Sequence, residues 1–72
     1  MNTLINYLDY LVRLLKLAYN TDNKKALFNQ AYGACQYHML CHPDNVTEEK
    51  VTTLWNDVYR PKFEQAIYGK EV

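Results

Sequence analysis

The N-terminal part of the chain carries polar side chains at the spacing of an α-helix, and this pattern limits the fold more than any other feature. The polar positions recur at steps of three or four residues: Asn2, Asn6, Asp9, Arg13, Lys16 and Asn20. Nearly all residues between them are apolar. Because an α-helix repeats about every 3.6 residues, this alternation predicts an amphipathic helix over residues 2–19.

The apolar surface of this first helix is wide enough to form two stripes. One stripe, which we expect in the core, contains Leu4, Leu8, Leu11, Leu15 and Ala18. The other contains Tyr7, Tyr10, Leu14 and Leu17. Tyrosine is enriched where proteins touch each other, and a small domain gains stability from association. We therefore expect the second stripe to be an interface and the protein to be a homo-oligomer.

A second helix is predicted between a run of turn formers and a proline. Residues 20–23, Asn-Thr-Asp-Asn, favour helix starts, with Thr21 or Asp22 as the cap. The helix should run to about Cys41, because Pro43 disfavours helical angles at the residue before it. Its inward face is expected to contain Phe28, Ala31, Tyr32, Cys35, Met39 and His42.

A third helix is predicted to follow the turn at Pro43. Thr47 is expected to cap it, with Val46 packing on Val51 as a hydrophobic staple, and Gly69 should end it. Pro61 lacks the N–H that a helix interior requires, which predicts a kink or restart. The core residues before the kink are expected to be Val51, Leu54, Trp55 and Val58.

Short loops place consecutive helices side by side, so the chain is predicted to be all-α: a single domain over residues 1–72, folded as an antiparallel three-helix bundle with a Pro-kinked third helix. Eight Lys and Arg balance eight Asp and Glu, which disfavours nucleic-acid binding. Charges interrupt the long apolar stretch, so no membrane span is expected. The two cysteines are expected to be free thiols, and the protein to be cytoplasmic.

Four side chains that can carry chemistry cluster around the end of the second helix: Cys35, His38, Cys41 and His42. One-turn spacing can hold zinc or copper, but Cys35 and His42 are two turns apart, so a site that also includes His38 would have stretched geometry. A fourth ligand such as Asp44 would have to come from the loop. A Cys–His nucleophile pair lacks an orienting group and an oxyanion site. We therefore expect Cys35 to be a core residue, no metal or other cofactor, no metal requirement for folding, and no enzymatic activity.

His42-Pro43-Asp44 falls in the turn between the second and third helices, where J-domain co-chaperones carry the same tripeptide. The chain resembles a J domain over residues 25–59. In that family the tripeptide and the basic face of the preceding helix engage a heat-shock ATPase, and the resemblance implies this role for His42, Pro43 and Asp44. The preceding helix departs from the family pattern, since Gln36, Tyr37 and Met39 stand where lysines and arginines are usual.

The C-terminal third also resembles small Gram-positive bacterial proteins, through Leu54-Trp55-Asn56, residues 60–63 and Ile67-Tyr68-Gly69. That resemblance implies no function. From the sequence, the protein is expected to be a non-enzymatic interaction module with an unknown protein partner, and self-associating. The alternative is a J-domain-like co-chaperone, and a metal-binding regulator is the third hypothesis. By default the tripeptide is interpreted as turn chemistry.

Overall fold

The computed structural model describes residues 2–69, and the regular structure in this range is helical throughout. In chain order its elements are α1 (Asn2–Leu15), α2 (Thr21–Cys41), α3 (Asn45–Leu54), a π-helical turn (Trp55–Tyr59) and α4 (Arg60–Tyr68). The last three elements follow one another without a break and form a third helical stretch over residues 45–68. The predicted all-α three-helix bundle is therefore confirmed. Among these helices, none is both long and apolar enough to cross a membrane.

Contacts between the ends of the helices show that neighbours run antiparallel. The Nζ atom of Lys24, at the start of α2, donates to the carbonyl of Ala66 near the end of α4 at 3.2 Å. The start of α1 lies beside the end of α2, where Thr3 and Cys41 line the same groove. Both arrangements follow from connections too short to let a helix continue in the same direction.

The N-termini of α2 and α3 are each closed by a capping side chain. Asn20 Oδ1 accepts a hydrogen bond from the backbone N–H of Asn23 at 2.8 Å. Asp44 Oδ1 accepts from the backbone N–H of Thr47 at 2.7 Å, and Asp44 Oδ2 accepts from its hydroxyl at 2.9 Å. These oxygens satisfy N–H groups that the first turn of a helix leaves unpaired.

Three details of the predicted helix boundaries are wrong. Neither Thr21 nor Asp22 caps α2, and Thr47 lies inside α3, because Asn and Asp one to three residues earlier are at least as favourable as caps. The staple between Val46 and Val51 is lost with this shift, and Val46 is 61% exposed. Helix α1 ends at Leu15, four residues early, because three successive N–H groups there bond to carbonyls three residues back and tighten the chain into a turn.

One continuous core joins all three helical stretches. Its buried members are Leu4, Leu8, Leu11, Leu15, Ala31, Cys35, Val51, Trp55, Tyr59 and Phe63. Phe28 of α2 packs edge-on against Trp55, with ring centroids 5.5 Å apart, and against Phe63 at 6.0 Å. The first apolar stripe of α1 is thus buried through Leu15, as predicted.

The π-helical turn lies where the sequence predicts the proline kink. The N–H of Arg60 donates to the carbonyl of Trp55, five residues earlier, rather than four as in an α-helix. Pro61 then falls in the first turn of α4, where its missing N–H and fixed φ are tolerated. The irregularity that Pro61 requires is therefore built as a π turn.

The same turn keeps the buried side chains in line. Val51, Trp55, Tyr59 and Phe63 are each 6% exposed or less, although four-residue steps in an α-helix drift by about 40° each. The extra residue of the π turn removes about 100° of rotation, which cancels most of the accumulated drift. Tyr59 takes the inward position, so Val58, predicted in the core, is 39% exposed.

Tyr59 also fastens the third helical stretch to α1. Its hydroxyl donates to Asp9 Oδ1 at 2.6 Å across the interface. Burial, followed by this hydrogen bond, raises the pKa of Tyr59 to about 12, so the hydroxyl remains a donor at neutral pH. One flank of α1 is therefore turned toward the third helical stretch and the other toward α2.

Candidate interaction surface

A groove of about 430 Å³ runs between the start of α1 and the end of α2. We call it the α1–α2 groove. It is lined by Thr3, Leu4, Tyr7, Ala34, Tyr37, His38, Cys41 and His42. Helix α1 contributes Thr3 and Tyr7 because residues four apart share a face, and α2 runs antiparallel beside them. Tyr10 and Leu14 continue the same side of α1 beyond the groove.

The α1–α2 groove is unusual in its lack of charge. Within the described part of the chain its lining includes no Asp, Glu, Lys or Arg. This follows from the sequence of α2, since residues 26–41 contain none of these four residue types. The rim is instead tyrosine: Tyr7 is 40% exposed, Tyr37 is 68% exposed, and Tyr10 beside them is 49% exposed. Aromatic surface without charge is typical of the centre of protein interfaces.

Two groups in the groove have displaced pKa values. The neighbouring Cys41 thiol raises the pKa of Tyr37 above its ordinary value, so the phenol stays protonated and available for hydrogen bonding. Partial burial, and then the charge of His42, lowers the pKa of His38 below its ordinary value. Both shifts favour the neutral forms of Tyr37 and His38 at physiological pH.

The predicted interface stripe is divided by the structure. Tyr7 lines the α1–α2 groove and Tyr10 is exposed next to it, while Leu14 is partly buried against the core. Leu17 is 71% exposed but lies beyond the end of α1, so it does not continue the helical stripe. Tyr37 and Cys41 of α2, which the stripe did not include, complete the surface.

His42-Pro43-Asp44 forms the connection between α2 and α3, and both of its ends contact a helix. The N–H of His42 donates to the carbonyl of His38 at 3.0 Å, and the N–H of Asp44 donates to the carbonyl of His42 at 2.8 Å. The Asp44 carboxylate caps α3, and its hydrogen bond from the Thr47 N–H holds its pKa below the ordinary value. The tripeptide thus performs the turn and cap functions that its residue types favour.

The cysteine and histidine cluster is divided between two grooves. Cys35 is 2% exposed, and burial raises the pKa of its thiol to about 11. It lies at the base of a second groove, of about 410 Å³, between α2 and α3. His38, Cys41 and His42 line the α1–α2 groove instead. Within residues 2–69, no three or more His, Cys, Asp or Glu side chains are grouped so that they could hold a metal ion.

Comparison of the chain with protein-family models, with curated proteins and with solved structures gave no match.

Proposed function

We propose that the protein is a non-enzymatic interaction module that associates with a second copy of itself through the α1–α2 groove. The observation that supports this most directly is the uncharged, tyrosine-rimmed surface on a small domain. Tyrosine offers large contact area with few rotatable bonds and a hydroxyl that can be satisfied at a wet rim.

The charge pattern favours a second copy as the occupant. In a two-fold dimer the same patch meets itself, so a charge near the two-fold axis would face its own like charge. Among residues 2–69, the lining of the α1–α2 groove includes no Asp, Glu, Lys or Arg that would have to be desolvated. A domain of this length also has a thin core and gains stability when a partner covers apolar surface.

Sedimentation velocity tests this proposal with one disruptive variant and one control. We expect the unmodified protein to dimerise at micromolar concentration and Tyr37→Asp to be monomeric, because each copy would place a carboxylate in the contact. Tyr68→Asp is the control: Tyr68 lies on α4, is 62% exposed, and should leave dimerisation unchanged. Circular dichroism checks that both variants are helical. An unmodified protein that stays monomeric at every concentration would refute the proposal.

The second candidate function is that of a J-domain-like co-chaperone. It is favoured by the position of His42-Pro43-Asp44, which joins α2 to α3 as the resemblance implies. It ranks second because residues 36–40 carry no Lys or Arg to attract an acidic partner. We expect the purified domain not to stimulate a heat-shock ATPase. Stimulation that disappears in His42→Gln, with unchanged helical content, would reverse this ranking.

We further propose that the protein acts in the cytoplasm and binds neither nucleic acid nor membranes. Both cysteines are free and Cys41 is exposed, which suits a reducing compartment. The formal net charge of zero provides no basic surplus for phosphate backbones.

A further inference from the structure

Two histidines meet at the C-terminal end of α2, where the α1–α2 groove opens. The ring centroids of His38 and His42 are 4.6 Å apart, and their planes are inclined by 40°. His38 is half-buried and His42 is exposed, so one ring is held by its surroundings and the other is accessible from solvent. Imidazole nitrogen is a preferred ligand of zinc, copper and nickel.

The separation of the two rings suits a shared metal ion. Two Zn–N bonds of about 2.0–2.1 Å at a tetrahedral angle hold their nitrogens about 3.4 Å apart. Rings whose centroids are 4.6 Å apart can each turn one nitrogen toward a common point, because the nitrogens lie on the ring perimeter.

The end of α2 places negative partial charge beside the pair. The last carbonyls of α2 give this helix end a partial negative charge. Among residues 2–69, the lining of the α1–α2 groove includes no Lys or Arg. A divalent ion at this place therefore meets attraction from the helix end.

We propose that His38 and His42 bind a Zn²⁺ ion, and that the same pair of a second copy completes its tetrahedral coordination. The sharing of the ion rests on the self-association proposed above. Since no three candidate ligands are grouped around an ion in residues 2–69, one copy offers two ligands and leaves two positions open. A two-fold dimer supplies four equivalent imidazoles and closes the site.

The test measures the dimer dissociation constant by sedimentation equilibrium, first with a chelator and then with Zn²⁺ at one ion per dimer. We expect Zn²⁺ to tighten dimerisation by about tenfold or more. His38→Gln and His42→Gln should each abolish this effect, measured as the ratio of the dissociation constants with chelator and with Zn²⁺ for the same variant, because both side chains line the groove. Cys41→Ser tests the neighbouring thiol of the groove in the same way, and its ratio should equal that of the unmodified protein.

The possible results distinguish a failure of the shared ion from a failure of self-association. A dimer with the same dissociation constant under both conditions overturns the shared ion and leaves self-association standing. A monomer under both conditions removes the proposed function and the shared ion together. A Zn²⁺ response that survives both histidine substitutions, or that disappears in Cys41→Ser, overturns the assignment of the two imidazoles as the ligands.

Discussion

The π turn at Trp55–Tyr59 permits a direct test of why the third helical stretch is irregular. A π turn is a one-residue insertion in an α-helix, so deletion of the exposed Asp57 should convert residues 45–68 into a continuous α-helix. The buried side chains would remain aligned: the step from Val51 to Phe63 shortens by one residue, and its net rotation is then about 20°. We therefore expect the core packing to tolerate the deletion, and the loss of stability to arise from Pro61.

The size of that cost follows from the position of Pro61. In the native chain Pro61 lies in the first turn of α4. After deletion of Asp57 it would lie in a helix interior, where the missing N–H and the clash with the preceding turn cost about 3 kcal/mol. Adding Pro61→Ala to the deletion should recover this loss. In the undeleted chain the same substitution should change the free energy of unfolding by less than about 1 kcal/mol.

Urea unfolding of the four proteins in this cycle, followed by the fluorescence of the single tryptophan, measures the coupling directly. Deletion of Gly33 serves as the control, because α2 has no π turn to absorb it, and all later residues would rotate by about 100°. We expect that control to lose cooperative unfolding. If Pro61→Ala changes stability equally with and without Asp57, or if deletion of Gly33 is tolerated equally well, the reasoning about the π turn is wrong.

Three further predictions concern a hydrogen bond, the two glycines and the acid dependence of a helix cap. Tyr59→Phe should lower the free energy of unfolding by about 1.5–3 kcal/mol, because the Asp9 carboxylate loses its donor; urea unfolding measures this, and no loss would show that water replaces the hydroxyl. Gly33→Ala should stabilise the protein by about 0.5–1 kcal/mol because the site has room for a methyl group. Gly69→Ala should destabilise it by about 1–2 kcal/mol because Gly69 has a φ of 65°. Melting temperatures that shift in the same direction for both variants would contradict this pair of predictions. The pKa of Asp44 is lower when the chain is folded. The stabilisation by Asp44 is therefore fully present above the ordinary pKa of 3.8 and is lost as the pH falls through the pKa of the folded state. Asp44→Asn keeps a cap and should show less of this acid dependence in urea unfolding between neutral and acidic pH.

The fold could be predicted from the sequence wherever burial follows helical spacing. Leu4, Leu8 and Leu11 are buried as their period requires. The end of α1 could not be predicted in this way, because Leu17 and Ala18 continue the apolar pattern past the last helical residue. The chain turns there through local hydrogen bonds, which the spacing of apolar residues does not indicate.

The candidate surface could be predicted only in part. The spacing of Tyr7 and Tyr10 indicates that they share a face of α1, but it does not indicate which residues of another helix lie beside them. Tyr37 and Cys41 join the surface through tertiary packing. The signal that could have found them is the absence of Asp, Glu, Lys and Arg from residues 26–41, since a long helix without charge on its exposed side needs a reason to stay uncharged.

The two flanks of α1 show how a chain of zero net charge can present a neutral surface. Asp9 faces the third helical stretch, where it accepts the hydrogen bond from Tyr59, while Tyr7 faces α2 across the groove. The Asp9 carboxylate is thus hydrogen-bonded on the side of α1 that faces the third helical stretch, away from the α1–α2 groove. The proposed association between two such grooves would depend on aromatic contact and neutral hydrogen bonds, which salt screens little. A co-chaperone role would require a positive field near His42, and its strength would fall as salt is added.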